Sequence, residues 1–106
     1  MIGIKALSNG SLSDSKATLY TVPASTQTIV KSIITANTDS SARTLNIYVK
    51  TDGSNSRHIF PVDLSLDAGS IAILDNVITL EEGDLIEGDA SVASVVDYVI
   101  SGIEKS

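Results

Sequence analysis

Ala68-Gly-Ser-Ile-Ala-Ile-Leu-Asp-Asn-Val-Ile-Thr-Leu-Glu-Glu-Gly-Asp-Leu-Ile-Glu-Gly-Asp-Ala-Ser-Val-Ala-Ser-Val-Val-Asp-Tyr-Val-Ile-Ser-Gly-Ile-Glu104 is the stretch whose reading decides the fold. Its apolar pieces, Ile71–Leu74 and Val77–Leu80, are too short and too β-branched for helices. Asp75-Asn76 and Glu82-Gly83-Asp84 interrupt them with residues that turn a chain. The last piece, Val95–Ile103, reads as the longest strand. Three or more short strands divided by acidic turns over 37 residues describe an all-β fold, and the rest of the chain follows the same rule.

Upstream, Arg43–Lys50 alternates strictly, with Leu45, Ile47 and Val49 predicted inward and Thr44, Asn46, Tyr48 and Lys50 outward. Ala17–Val22 is a strand closed by Pro23, which lacks an N–H. Thr28–Ala36 places Val30, Ser32, Ile34 and Ala36 on one face and Ile29, Lys31, Ile33 and Thr35 on the other. Both faces are partly apolar, so the strand is central or its outer face meets a partner. Asn37–Ala42 and Thr51–Ser56 are polar turns. Arg57–Leu66 alternates through His58, Phe60, Val62, Leu64 and Leu66 but contains Pro61, so it is an edge strand or is broken there. Ile2–Leu7 reads as a short edge strand or an arm, and Ser8–Ser15 as a flexible loop or part of an arm reaching a neighbour. The expected division is thus residues 1–15 as arm or loop and 16–106 as one antiparallel β-sandwich, jelly-roll-like, with short strands and acidic turns.

At 106 residues the chain buries roughly 65% of the surface its unfolded form exposes, enough for a core without cross-links. It has no cysteine, which removes disulfides and thiolate metal sites. Thirteen acids against seven bases give a net charge of -6, which repels a phosphate backbone, so no nucleic-acid partner is expected. No run approaches the ~20 apolar residues of a membrane helix, and Met1–Ala6 lacks the pattern of a signal peptide, so neither a membrane partner nor export is expected. The positive mean hydropathy is high for so small a domain and implies apolar surface buried between subunits.

Chemistry-bearing residues are sparse. His58 is the only histidine, so one chain cannot form a histidine metal cluster. A triad of Ser54 or Ser56 with His58 and Asp52 or Asp63 lacks a nucleophile elbow and would sit on a flexible hairpin; His58 is expected to pack or hydrogen-bond at a surface. Glu81, Glu82, Asp84, Glu87 and Asp89 gather within nine positions, but their spacing does not match a calcium loop and reads as a solvated acidic rim. Gly83-Asp84 is expected to be a left-handed turn residue beside a backbone-capping acid. No catalytic residue, metal site or cofactor is assigned.

Leu19-Tyr-Thr-Val-Pro-Ala24, Ile29-Val-Lys-Ser-Ile33 running to Ala36-Asn37, Leu74-Asp-Asn76 with Ile78-Thr-Leu-Glu-Glu-Gly-Asp-Leu-Ile86, and Ile100-Ser-Gly-Ile-Glu104 occur in this order. Together they resemble a group of small virion structural proteins of tailed bacteriophages. The resemblance implies a β-fold and a virion component assembled in the host cytoplasm. Some such proteins decorate or cement heads; others belong to necks, tails or fibre attachments. The partners implied are the major capsid protein or neighbouring virion proteins and further copies of the chain, with a trimer as the expected oligomer. Ile29, Lys31, Ile33 and Tyr48 are the candidate interface residues. A small ligand-binding sandwich is the remaining alternative, with only the acidic cluster to recommend it.

Overall fold

A computed structural model describes residues 4–51 and 55–105. Among the described residues there are ten strands: β1 (Ile4–Ser11), β2 (Ala17–Thr21), β3 (Gln27–Asn37), β4 (Arg43–Lys50), β5 (Ser56–His58), β6 (Leu64–Leu66), β7 (Ile71–Leu74), β8 (Ile78–Leu80), β9 (Leu85–Ala90) and β10 (Val96–Lys105). All pairings are antiparallel. The chain is a long ribbon doubled over on itself: β4 pairs with β5 and β6, β3 with β7 and β8, β2 with β9, and β1 with β10. Successive nested pairs fall alternately in two sheets. Sheet I has the order β1-β10-β3-β7, with β8 also on β3, and sheet II has the order β2-β9-β4-β5, with β6 also on β4. That alternation is a jelly roll, the sandwich expected from the sequence.

The core lies between the sheets. Val30, Ile33 and Ile100 from sheet I meet Leu45, Ile47 and Ile86 from sheet II, all with no exposure. β4 has the predicted inward residues, and Pro61 breaks its neighbour into β5 and β6 as its missing donor requires. The turns also follow the residue chemistry. Gly83 has φ +87°, and Asp84 Oδ2 accepts the Glu81 N–H at 2.9 Å.

Two expectations change. Ile4–Leu7 lie in an edge strand, one of the two readings of that stretch, but the strand runs on through Ser8–Ser11, read as loop or arm, and Leu12 after it is among the largest fully buried side chains. The polar composition of Ser8–Ser11 hides a backbone ladder to β10, which needs no apolar side chains. The Tyr98 ring covers the otherwise bare Gly10. The ribbon then stays bonded across the corner, with Leu12 N–H to Val96 O at 2.8 Å and Ala90 N–H to Ser13 O at 2.9 Å.

The second change concerns β3, which is central as expected and, at 11 residues, longer than the 10-residue β10. Its buried residues are Thr28 and Val30, then Ile33, Thr35 and Asn37. The ladder to β10 pairs Ser32 with Ser101 but Val30 with Gly102, leaving Lys31 as an extra residue in a bulge. The bulge switches the inward face from even to odd numbers, so Ile33 and Thr35 point in while Ile34 and Ala36 stay outside. Gly102 makes room for this, since a Cβ there would lie 2.2 Å from Ile29 O.

Candidate functional site: the two outer sheet faces

The outward residues of β4 and β9 build a polar network on sheet II. The Asn46 amide donates to Asp63 Oδ1 and Asp89 Oδ1, both at 2.9 Å, and Asn46 Oδ1 accepts the Asp63 N–H at 2.8 Å. Asp63 can reach because its positive φ of 51° folds the connection after Pro61 back over β4. The Tyr48 hydroxyl donates to Asp89 Oδ2 at 2.7 Å. Its ring lies 4.5 Å from the His58 ring, and Lys16 Nζ stands 4.9 Å from its centroid. Burial, the hydrogen bond to Asp89 and the negative charge of Asp89, Asp63 and Glu87 push the Tyr48 phenol up to about 12. Ser56 Oγ donates to Glu87 Oε1 at 2.5 Å and accepts from Lys16 Nζ at 3.2 Å.

These bonds settle where the chemistry-bearing residues go. The Ser56 hydroxyl is held by Glu87, and His58 is exposed against Tyr48; Asp52 and Ser54 lie outside the described residues. The five carboxylates of the acidic stretch are spread over distinct tasks: Asp84 caps its turn, Glu82 accepts the Ser25 N–H at 2.6 Å, Glu81 accepts from Gln27 at 2.7 Å, and Glu87 and Asp89 join the sheet II network. Among the described residues no group of three or more His, Asp or Glu is placed to hold a metal ion, and every buried side-chain polar atom has a partner.

Sheet I presents a different face. Cross-strand register aligns Asn9, Val99, Ile34 and Ile73 in one row and Ser11, Asp97, Ala36 and Ile71 in the next. Ile71 and Ile73 are 56% and 53% exposed and Val99 is 39% exposed. Beyond the bulge, Ile103 pairs with Ile29 on the same outer side, and both are half-buried. The result is an apolar strip across three strands with Lys31 and Asp97 among its described charges and Lys105 and Glu81 at the rim, where Glu81 accepts from Gln27. Of the four candidate interface residues, Ile29 and Lys31 lie on this face and Tyr48 lies outward on the opposite sheet. Ile33 does not qualify, because the bulge turns it into the core, where it has no exposed surface. Ile34, Ile71, Ile73 and Val99 take its place. The signal for them was in the sequence: Ile71–Leu74 is apolar at every position, so a strand there must show apolar residues on both faces.

No family signature matches the sequence, and no curated protein matches it. Solved structures similar in fold include the following two. One comes from work reporting that Bacillus endospore appendages form a family of disulfide-linked pili, with 15% identity, a TM-score of 0.58, and 99% of this chain matched to 88% of that one. The other is a chain of infectious bursal disease virus, Gx strain, with 11% identity, a TM-score of 0.50 and 98% of this chain matched. This chain spans about a third, 32%, of that viral chain's length. At these identities the likeness concerns the fold, a two-sheet antiparallel sandwich.

Proposed function

We propose that this protein is a structural subunit of a virion: a capsid decoration or cement protein that stabilises the head through contacts with the major capsid protein, neighbouring virion proteins and copies of itself. The observation that carries this reading is the apolar strip in which the exposed Ile71, Ile73 and Val99 flank the half-buried Ile34 on the outer face of sheet I. Contiguous apolar surface on a small domain marks a place where another surface binds. The reactive side chains, by contrast, are tied into structural hydrogen bonds. The fold likeness to a pilus chain and a viral chain is consistent with a building block, and the ordered strand motifs resemble phage virion proteins.

Cementing needs no chemistry. A subunit that binds only the assembled shell stabilises it by mass action, and an interface of about 800 Å² per partner suffices for a specific contact. Particles lacking the protein are expected to lose their contents on heating or dilution sooner than complete ones and to recover when purified protein is added. Equal resistance with and without it would refute the cement role. Imaging labelled particles separates the positions: label over the whole shell fits decoration, whereas label at one vertex means a neck, tail or fibre-attachment subunit.

A further inference from the structure

We propose that the outer face of sheet I is a self-association surface, covered by the same face of a second copy about a two-fold axis, with Lys31 of one copy against Asp97 of the other. The inference rests on reading the chain as an assembly subunit and names the contact it uses.

Size, charge and register all favour a second copy as the occupant. The molecule measures 41 × 28 × 20 Å, so its broad face is on the order of 1,000 Å², against about 800 Å² per partner in a standard interface. A chain with net charge -6 repels its own copies unless they meet through a surface poor in acids. The sheet II face carries Asp63, Glu87 and Asp89 beside Lys16 and Lys50, and its acids are already engaged by Asn46, Ser56 and Tyr48 within the chain, which leaves it polar and without an apolar strip to cover. The sheet I face carries the acid Asp97 and the base Lys31 on either side of the apolar strip.

Their positions are complementary under a two-fold. Asp97 is level with Ala36 on β3, five residues from Lys31 along that strand. An axis lying across the strands midway between them, beside Ile34, carries the Ala36 row of one copy onto the Lys31 level of the other. Asp97 then faces the partner's Lys31 at both ends, as an isologous interface requires, and Val99, Ile34 and Ile73 meet their own counterparts near the centre. Asp97 is already oriented, its Oδ1 accepting from Ser11 Oγ at 2.7 Å.

Facing sheets stand ~10 Å apart, too far for a direct disulfide but within reach of a short bismaleimide. The chain has no cysteine, so Ile34→Cys supplies one thiol per copy. At micromolar concentration this variant is expected to cross-link to a covalent pair. Val62→Cys, 65% exposed on the connection between β5 and β6, is expected to stay single. Lys31→Asp and Asp97→Lys should each weaken pairing in sedimentation by at least about tenfold, and the double exchange should restore it. The inference is overturned if Ile34→Cys cross-links no better than Val62→Cys, or if the double exchange pairs no better than the single ones. Should either charge variant fail to fold, the cross-linking comparison still decides. A chain that pairs this way but is missing from virions would refute the virion role alone; one found on virions without the Ile34→Cys cross-link would refute this contact alone.

Discussion

Gly102 is the residue on which the geometry of sheet I turns. Opposite the bulge in β3, its missing side chain lets the Ile29 carbonyl come within 2.2 Å of where a Cβ would be. The atom in the way is backbone and cannot swing aside. Gly102→Ala is therefore expected to cost at least about 3 kcal/mol, measured by urea unfolding; a loss under about 0.5 kcal/mol would show that the close approach is not there. Tyr20 is the second such residue. Its hydroxyl donates to Glu104 Oε2 at 2.5 Å and shares a 2.8 Å hydrogen bond with Thr28 Oγ1, tying sheet II to sheet I. Burial first, then the Glu104 hydrogen bond, raises this phenol from 10.0 to about 12, and Tyr48 is raised likewise. The folded state favours the neutral phenols. Their contribution to stability is thus complete below pH 10 and is lost as pH rises from 10 towards 12. Tyrosinate absorbance of the folded protein should show two groups ionising near 12, one lost in Tyr20→Phe and the other in Tyr48→Phe. Ionisation of both near 10 in a still-folded chain would contradict this.

Among the elements, β3 and β4 make opposite tests of register. β4 is regular, and the strict alternation of its sequence fixed its inward residues correctly. β3 carries an extra residue, and simple alternation assigned Ile33 and Thr35 to the wrong side from the bulge onward. Nothing in Ile29–Ala36 itself marks the bulge, because both faces are apolar; the mark is Gly102, on a strand more than sixty residues away. Deleting Lys31 should leave Thr28, Val30, Ile33 and Thr35 inward on a regular strand, and so preserve a cooperative melting transition. Deleting Asn46 should throw half of β4 onto the wrong face and abolish that transition. Equal tolerance of the two deletions would be inconsistent with the bulge. The second half of β1, Ser8–Ser11, was obscured for a different reason: its stabilisation comes from a backbone ladder and from the Leu12 anchor beyond its end, neither of which polarity reveals.

At the scale of the molecule, strand lengths, turn chemistry and the absence of helical spacing made the sandwich readable in the sequence. The candidate surface was readable only in outline. A two-sided apolar β3 pointed to an outer contact, but its members depend on cross-strand rows that bring Val99, Ile34 and Ile73 together from three distant parts of the chain. The polar network of Asn46, Tyr48, Asp63 and Asp89 is equally non-local. The proposed contact requires that the sheet I face of this jelly roll be covered by a second copy. Sedimentation equilibrium of the unmodified chain at micromolar concentration tests that most directly. It is expected to return twice the 11.0 kDa chain mass, not the threefold mass of the trimer that the resemblance suggested. A stable 11.0 kDa species at that concentration would contradict it.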